Sequence, residues 1–218
     1  MEVNKISAKV LKTEFLCNNI KLIRIKVDNS KDFLPGNSIA LHINDSQKYF
    51  SVIYSSFDYV EIMVKLSDSK STSFIFNELK ENDVIEVSGP HSKAFDLSHS
   101  DHITFIAGGS GIANFLYAVK YLYENKSAVY VNVIFSSRHP EELVFKKDLD
   151  NYSKTPNFKV HYIVTNSEPR INQGYLHSFV KDNKGLFYIC GPKTMISDVA
   201  SYLKNLKVPE ERIIYDKY

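Results

Sequence analysis

The spacing of apolar residues marks the first half of the chain as a series of short strands. Apolar residues alternate with charged ones at positions 23–27 of the segment 20–27, and Val60, Ile62 and Val64 alternate with Glu61 and Lys65 in the segment 60–65, which gives each strand one buried face. Helical spacing appears only over residues 71–79, with Ser71 as the predicted N-cap. The remaining predicted strands of this half are residues 38–43, 48–54 and 84–87. Short strands between turn signals predict a small antiparallel barrel.

The second half changes period, because strands now alternate with helices. A strand at residues 103–107 runs through glycines into an amphipathic helix. Later segments are predicted as strands at residues 129–135, 158–164, 186–190 and 212–215 and as helices at residues 141–149 and 194–206. This alternation predicts a parallel sheet with helices on its faces. The polar stretch at residues 98–100 then divides the chain into domains 1–98 and 99–218.

The glycine turn at residues 108–111, GGSG, is the first candidate for chemistry. Glycines between a strand and a helix let a ligand approach the backbone, and a helix N-terminus favours negative charge. The turn predicts a phosphate site, but alone it also fits an ordinary tight turn, since Asn114 replaces the third small residue of the Rossmann pattern. In parallel sheets ligands bind beyond the carboxyl ends of the strands. We therefore expect four loops to converge, at residues 108–111, 136–138, 165–167 and 190–192.

Composition narrows the class of protein and of partner. The 218 residues include 27 basic and 25 acidic side chains, so we expect no basic surface for nucleic acid. No run approaches the ~20 apolar residues of a membrane span, and the first ten residues lack the apolar core of a signal peptide. We therefore expect a cytoplasmic protein. Cys17 and Cys190 offer no spacing for a zinc or iron–sulfur site, which leaves an organic cofactor for any redox chemistry.

Two other chemistries fit the sequence less well. A serine hydrolase would place Gly-x-Ser-x-Gly between strand and helix, and this chain has Ile112 at the last position. His99, Asp101 and His102 lie close enough to suggest a metal site, but no further ligand follows at a recognisable spacing. We interpret these three as solvated loop residues and expect no metal.

Six segments, in order and over the whole length, together resemble one known family. They are FLPGNSIAL, KYFSVIYSS, VSGP, IAGGSGIAN, LFYICGP and the ending IIYDKY. Their order is similar to that of the ferredoxin–NADP reductase superfamily, especially its small NAD(P)H-flavin reductases. The resemblance implies a six-stranded antiparallel flavin-binding β-barrel followed by a Rossmann-like α/β domain that binds NAD(P)H. It implies FAD as the cofactor, with FMN or a loosely held flavin as alternatives.

On the flavin side, the family's motif of Arg, any residue, Tyr and Ser falls on residues 48–51, KYFS. The resemblance implies that the charged residue holds flavin phosphate, that the aromatic ring stacks on the flavin and that the serine hydrogen-bonds near flavin N5. Lys48 keeps the charge without the bidentate guanidinium, and Phe50 lacks the tyrosine hydroxyl. The family's second phosphate loop falls on residues 69–73, where Ser73 takes the serine's place and the glycines are missing.

On the nucleotide side, residues 108–111 match the family's glycine turn, and Asn114 replaces its usual proline. The resemblance places Cys190 beside the nicotinamide C4, although a buried cysteine alone would be read as packing. After the second parallel strand, Arg138 stands where many dinucleotide-binding proteins have an acidic residue that binds the 2′-hydroxyl of a ribose without a 2′-phosphate. An arginine here favours NADPH, but relatives with arginine use either coenzyme, so the prediction stays NAD(P)H.

The chain end carries a further implication of the resemblance. Tyr218 would stack on the flavin ring and gate the site, and Asp216 would lie near the reacting ring; the alternative is that the last residue frays. The predicted catalytic residues are Ser51, Cys190, Asp216 and Tyr218. The residues predicted to bind a cofactor are Lys48, Phe50, Ser51, Val52, Val64, Lys65, Ser71, Thr72, Ser73, Gly108, Gly109, Ser110, Gly111, Ser137, Arg138, Cys190, Gly191, Pro192 and Met195.

Together these observations predict a flavin-dependent NAD(P)H oxidoreductase. We expect hydride to pass from the nicotinamide C4 to flavin N5 and the electrons to leave to a small redox acceptor or a separate electron-transfer protein. Two alternatives stay open. The protein could be a flavin reductase that releases reduced flavin, or an electron-transfer component of a larger redox complex.

Overall fold

The computed structural model describes residues 4–28, 30–43, 46–180 and 184–215, and it divides into two compact units. The first unit comprises the chain up to Phe95 together with Ala113–Ala118. The second comprises Asp96–Ile112 and the chain from Val119 onward. A domain boundary between residues 98 and 99 stays a prediction.

Six strands close into an antiparallel barrel in the first unit. They are β1 (Ile6–Cys17), β2 (Ile20–Lys26), β3 (Ser38–Ile43), β4 (Ser46–Ser55), β5 (Tyr59–Lys65) and β6 (Val84–His91). Their order is β1-β2-β5-β4-β3-β6, and β1 pairs with β6 to close the ring. Side chains that alternate along the strands fill the interior, where Ile23, Ile39 and Ile62 are fully buried. The barrel predicted from the sequence is confirmed.

Helix α1 (Lys70–Asn77) packs against β5 and β4 and buries Ile75 and Phe76. Its N-cap position is Ser69, so Ser71 lies inside the first turn and the N-cap predicted at Ser71 is wrong. Ser69 has extended backbone angles (φ −66°, ψ 121°), which is the conformation of a residue that precedes a helix.

The second unit is a five-stranded parallel sheet with helices. Its strands are β7 (His102–Gly108), β8 (Tyr130–Ser137), β9 (Phe158–Val164), β10 (Leu186–Cys190) and β11 (Ile213–Tyr215), in the order β11-β10-β7-β8-β9. The helices are α2 (Ala113–Glu124), α3 (Lys146–Tyr152), α4 (Gln173–His177) and α5 (Lys193–Asn205). The central β7 is buried from Ile103 to Gly108 and apolar there except for Thr104, as expected for a strand covered on both faces. The predicted parallel sheet is confirmed.

One predicted helix differs from the structure. The pattern over residues 141–149 gives way to a 3-10 turn at Pro140–Glu142 and to α3, which begins only at Lys146. Phe145 separates the two because it takes a left-handed conformation (φ 58°), which no α-helix can contain. Among the described residues, no helix is both long and apolar enough to cross a bilayer.

Candidate functional site

The carboxyl end of β7 lies where the order of strands in the sheet reverses. β8 flanks β7 on one side and β10 on the other. Open α/β sheets bind ligands at such a point, beyond the carboxyl ends of the strands. Gly109 turns the chain there with a left-handed φ of 55°, and a 3-10 turn, Gly109–Ile112, leads into α2. The fold therefore presents the glycine turn at the position where a nucleotide would bind.

Three glycines let the ends of β7 and β10 approach through bare backbone. A methyl group at Gly111 would lie 2.6 Å from the carbonyl carbon of Cys190, and one at Gly191 would lie 3.0 Å from Cα of Gly108. Real Cβ atoms almost never come this close to backbone. Any side chain here would clash with these neighbours, so the glycines let the strand ends pack backbone against backbone and form a cradle of bare backbone.

The four loops predicted to converge do lie together. Gly108 pairs with Ser136 in the sheet register, which joins the first loop to the second. The backbone N–H of Thr165 donates to the carbonyl of Ser137 at 2.8 Å, which joins the second to the third. Pro192 Cδ lies 2.9 Å from where a methyl group at Gly108 would be, which brings in the fourth loop.

Cys190 and Met195 line the other side of this cradle. Cys190 is 1% exposed and ends β10 opposite Ala107 of β7. Met195, half-buried in the first turn of α5, has its sulfur 2.5 Å from the position that a methyl group at Gly108 would take. Its thioether therefore covers the edge of the glycine turn.

The loop after β8 contains an acid that the sequence analysis missed. Ser137 Oγ donates a hydrogen bond of 2.8 Å to Glu142 Oε2, and both residues are buried. Arg138 between them is exposed. No acidic residue follows β8 directly, and the 3-10 turn that begins at Pro140 brings Glu142 back to the strand end from five residues downstream of Ser137. The signal in the sequence was that proline.

The flavin motif occupies β4 in the first unit. Lys48 and Phe50 are half-buried, and Phe50 packs against the barrel core. Val52, two residues further along, belongs to that core. Tyr49 points the other way and is 54% exposed, with its ring in edge contact with His91 at 5.1 Å between centroids.

Ser51 of this motif contacts a residue that the sequence analysis noted only as a departure from the family. Its Oγ donates to Oδ1 of Asn114 at 3.4 Å. Asn114 is the second residue of α2, is 5% exposed and belongs to the first unit. The two positions are 63 residues apart in the chain, so no local pattern could have linked them.

The other predicted flavin contacts lie on β5 and α1. Val64 is fully buried in the barrel core, so only its backbone could meet a cofactor, while Lys65 is half-buried. Three half-buried hydroxyl residues, Ser71, Thr72 and Ser73, fall in the first turns of α1. Hydroxyl groups at a helix start, with a cationic lysine on a neighbouring strand, are donors of the kind that bind phosphate, so this set fits a flavin nucleotide.

The remaining candidates have other partners or fall outside the described residues. His99 Nδ1 lies 2.7 Å from a carboxylate oxygen of Asp96, and the ring of His102 stacks on Tyr130 at 5.0 Å. Within the described ranges, no three His, Cys, Asp or Glu side chains group as a metal site. The predicted catalytic residues Asp216 and Tyr218 lie outside the described residues.

Comparison with known proteins gives two matching protein-family models. An oxidoreductase FAD-binding domain matches residues 7–95, and an oxidoreductase NAD-binding domain matches residues 105–201. The first covers the barrel and the second covers most of the parallel sheet.

Individual relatives agree with this pairing. NADH-cytochrome b5 reductase 1 of Dictyostelium discoideum is 26% identical over 228 aligned positions, and the match covers 93% of this chain and 79% of that protein. One component of the Na(+)-translocating NADH-quinone reductase of Pseudoalteromonas atlantica is 29% identical over 170 residues, which cover 71% of this chain but only 41% of that component. The crystal structure of the cytochrome b5 reductase domain of Ulva prolifera nitrate reductase matches with a TM-score of 0.86 at 15% identity, over 98% of this chain and 97% of that one.

The order of the two family models along the chain is the same as the order of the two folds. A flavin domain built as an antiparallel barrel precedes a nicotinamide-nucleotide domain built on a parallel sheet. The cofactors expected from the sequence, FAD and a nicotinamide nucleotide, are those that the two matching domains bind. The chain belongs to the ferredoxin–NADP reductase superfamily of flavin-dependent NAD(P)H oxidoreductases.

Proposed function

We propose that this chain passes hydride from the nicotinamide C4 of NAD(P)H to FAD and delivers the electrons to a separate acceptor. The observation that carries the proposal is the cradle of bare backbone in which Gly111 packs directly against Cys190, at the ligand-binding edge of the sheet. Bound FAD supplies the hydride acceptor: the nicotinamide loses two electrons and one proton, and the acceptor later takes the electrons while the proton returns to solvent.

The residues of the chain hold and orient the two cofactors. Gly108–Gly111 would bind the coenzyme pyrophosphate through bare backbone at the start of α2, and Gly191 and Pro192 would lie against the nicotinamide ring beside Cys190. Lys48 attracts flavin phosphate, as do the hydroxyls at the start of α1. Ser51 would hydrogen-bond the flavin near N5. Holding two reacting groups in one geometry is the main catalytic contribution that this fold can make.

The acceptor is a separate molecule in this proposal. The relatives are named for cytochrome b5 and for a quinone, and this chain matches less than half of the quinone reductase component. The two cysteines form no disulfide, which suits the reducing cytoplasm where NAD(P)H is held. We propose no acceptor identity beyond a one-electron protein centre or a small quinone-like molecule.

The test is reduction of the FAD-loaded protein under anaerobic conditions. Protein mixed with equimolar FAD should show the absorption of bound flavin, and NADH or NADPH should bleach it. Bleaching should be slowed about tenfold or more in Ser51→Ala, because one contact to the acceptor atom is lost. The matched control Ser55→Ala lies on the same strand, where its hydroxyl bonds the backbone of Ser30, and should bleach at the wild-type rate. Protein that binds FAD but is not bleached by either coenzyme would contradict the proposal.

A second candidate, release of reduced flavin as the product, is favoured by Lys48 and by the missing glycines before Ser73. A lysine–phosphate contact gives up part of the ~1.5–3 kcal/mol of a charged hydrogen bond, so we expect an FAD dissociation constant above ~1 μM. Lys48→Arg should tighten it, since guanidinium binds phosphate with two parallel bonds. Gel filtration of the wild type and of Lys48→Arg, each mixed with equimolar FAD, measures how much FAD stays bound. Stoichiometric FAD retained by the wild type would exclude the flavin reductase.

A further inference from the structure

Two histidines on the outer face of the barrel converge on one serine hydroxyl. Nε2 of His42, on β3, lies 2.9 Å from Oγ of Ser88, and Nε2 of His91, on β6, lies 3.0 Å from the same atom. Ser88 is 2% exposed, while both rings are half-buried. All three residues belong to the first unit, and none is among the residues predicted to bind a cofactor.

A bulge in β6 brings the second histidine to this face. Val87 is part of the barrel core, so Ser88 points outward. In a regular strand His91, three positions later, would point to the interior. The pairing of β6 with β3 shifts register between Ser38 and Ala40, and the extra residue of β6 returns His91 to the outer face. The irregular pairing is therefore what places both rings beside Ser88.

One hydroxyl cannot serve two rings in the same way. A serine hydroxyl has one proton to donate, and a neutral imidazole has one protonated and one bare nitrogen. When both rings are neutral, Ser88 donates to one and accepts from the other, so His42 and His91 are opposite tautomers. The shared hydroxyl holds two ring nitrogens from different strands toward a single point.

Two imidazole nitrogens that face one point are donors suited to late transition metals. If both hydrogen bonds use tetrahedral positions on Oγ of Ser88, the two Nε2 atoms are about 5 Å apart. A tetrahedral zinc ion with bonds of about 2.0–2.1 Å needs its ligand nitrogens about 3.4 Å apart. Ring rotations that displace each nitrogen by less than about 1 Å would place one ion between them.

The same face carries a carboxylate beside the histidines. Glu86 stands opposite His42 in the register of β3 and β6. Its side chain is 62% exposed and lies 3.8 Å from Nζ of Lys5, whose side chain is 54% exposed. An exposed ion pair of this length contributes little, so Lys5 offsets only part of the attraction that Glu86 has for a cation.

We propose that His42 and His91 bind one divalent transition metal ion of the zinc and copper class, with water completing its shell. The ion would tie β3 to β6 and stabilise the folded barrel. Imidazole ligands bind Cu²⁺ more tightly than Zn²⁺, whereas Mg²⁺ and Ca²⁺ prefer oxygen ligands. The site goes beyond the proposed function and needs neither flavin nor nicotinamide, so each can fail without the other.

The test is calorimetric titration of the untagged full chain with Zn²⁺. His42→Gln and His91→Gln each remove one ligand and keep an amide that can bond Ser88. The matched control is His177→Gln, which changes an exposed histidine at the end of α4. We expect the wild type and the control to bind one equivalent with equal affinity. The dissociation constant should be at least tenfold higher in each of the other two variants, and Zn²⁺ should raise their melting temperature less.

Electron paramagnetic resonance with Cu²⁺ identifies the ligands directly. The wild type should show splitting from two imidazole nitrogens, and the loss of either histidine should leave one. A wild type that binds no Zn²⁺ at millimolar concentration would overturn the proposal. Equal affinity in the wild type, His42→Gln and His91→Gln would also overturn it, because the ion would then bind elsewhere. If one variant fails to fold in circular dichroism, the other decides.

Discussion

The side chain of Lys21, on strand β2, caps the carboxyl end of helix α1. Its ammonium, on β2, donates to the carbonyl oxygens of Phe76 at 2.9 Å and Leu79 at 2.7 Å. The last carbonyls of a helix have no donor within the helix, and here a buried cation supplies it. Burial lowers the pKa of Lys21 below its ordinary value of 10.5, although Asp83 and Glu78 oppose the shift.

Lys21→Met should destabilise the barrel by about 1–3 kcal/mol, because two buried carbonyls lose their donor while the stem of the side chain is kept. Urea denaturation followed by circular dichroism measures the free energy of unfolding. The matched control is Lys26→Met on the exposed end of the same strand, which should stay within about 0.5 kcal/mol of the wild type. Equal stability of all three proteins would mean that the two carbonyls are satisfied otherwise.

We propose that coenzyme choice depends on two charged residues after β8. Exposed Arg138 would attract a 2′-phosphate, whereas buried Glu142, bonded to Ser137, would repel it. Arg138→Ala should raise KM for NADPH about tenfold and leave NADH nearly unchanged. Glu142→Gln keeps an acceptor for Ser137 and should lower KM for NADPH alone. Steady-state kinetics with both coenzymes measures this, and equal effects on the two would place the ribose elsewhere.

At the scale of single residues, the sequence marked only those positions whose immediate neighbours in the chain form a recognisable pattern. The glycine turn and the cysteine before Gly191 are marked by their immediate neighbours in the chain. Contacts of Lys21 with Leu79 and of Ser51 with Asn114 join positions 58 and 63 residues apart, and only the closed barrel and the start of α2 bring them together. Their chemistry is readable only after the register of the strands is known.

Among the elements, the turn between β7 and α2 depends on the absence of side chains. Gly111→Ala would place a methyl group 2.6 Å from backbone of Cys190, and backbone at the end of a central strand cannot move aside. We expect a loss of about 1–3 kcal/mol from overpacking, with weakened binding of NAD(P)⁺.

The matched control is Gly174→Ala in α4, where the nearest atom would be 3.4 Å away. That change should raise stability by about 0.5–1 kcal/mol, as alanine does inside a helix. Thermal melts of the two variants test the contrast. A Gly111→Ala protein that melts like the wild type would show that the turn can shift without cost.

Strands with clean alternation were predicted nearly to their ends, and β1 was not. Only Ala8 and Val10 of its twelve residues are buried, and its pairing with β2 shifts register twice. A long strand that bends across two neighbours loses its period-two pattern, because the buried face changes along its length. The helix predicted over residues 141–149 failed for a related reason, since one left-handed residue, Phe145, resets the backbone between two apolar stretches.

For the whole molecule, three tyrosines of the second unit set a limit at high pH. Burial and Asp148 raise the pKa of Tyr152 to about 12, and burial and Asp96 raise that of Tyr188 to about 12. Burial and a hydrogen bond to Asp150 raise the pKa of Tyr162 as well. Each folded-state pKa lies above the unfolded value, so the stability that these groups contribute is complete below about pH 10 and is lost as pH rises through about 12.

The free energy of unfolding should therefore fall between about pH 10 and about pH 12, because the three tyrosines together outweigh the opposing contribution of Lys21. Tyr162→Phe should reduce the slope, while Tyr121→Phe, 43% exposed on α2, should leave it unchanged. Urea denaturation across this range measures the slopes. A flat profile in the wild type would mean that the buried phenols reach solvent before they ionise.

The grouping of Ala113–Ala118 with the barrel decides how this chain can be recombined. Tyr117 donates its hydroxyl to the carbonyl of Phe33 at 3.2 Å, and the ring of Phe115 lies 6.0 Å from that of Phe95. A chimera joined in the polar loop near residue 100 would take the barrel from one parent and these aromatic rings from another. A junction after Ala118 would keep them with their barrel but cut α2 and separate the glycine turn from the rest of its sheet. Neither crossover preserves both units, so we expect recombination between related genes to exchange the two coding halves only together.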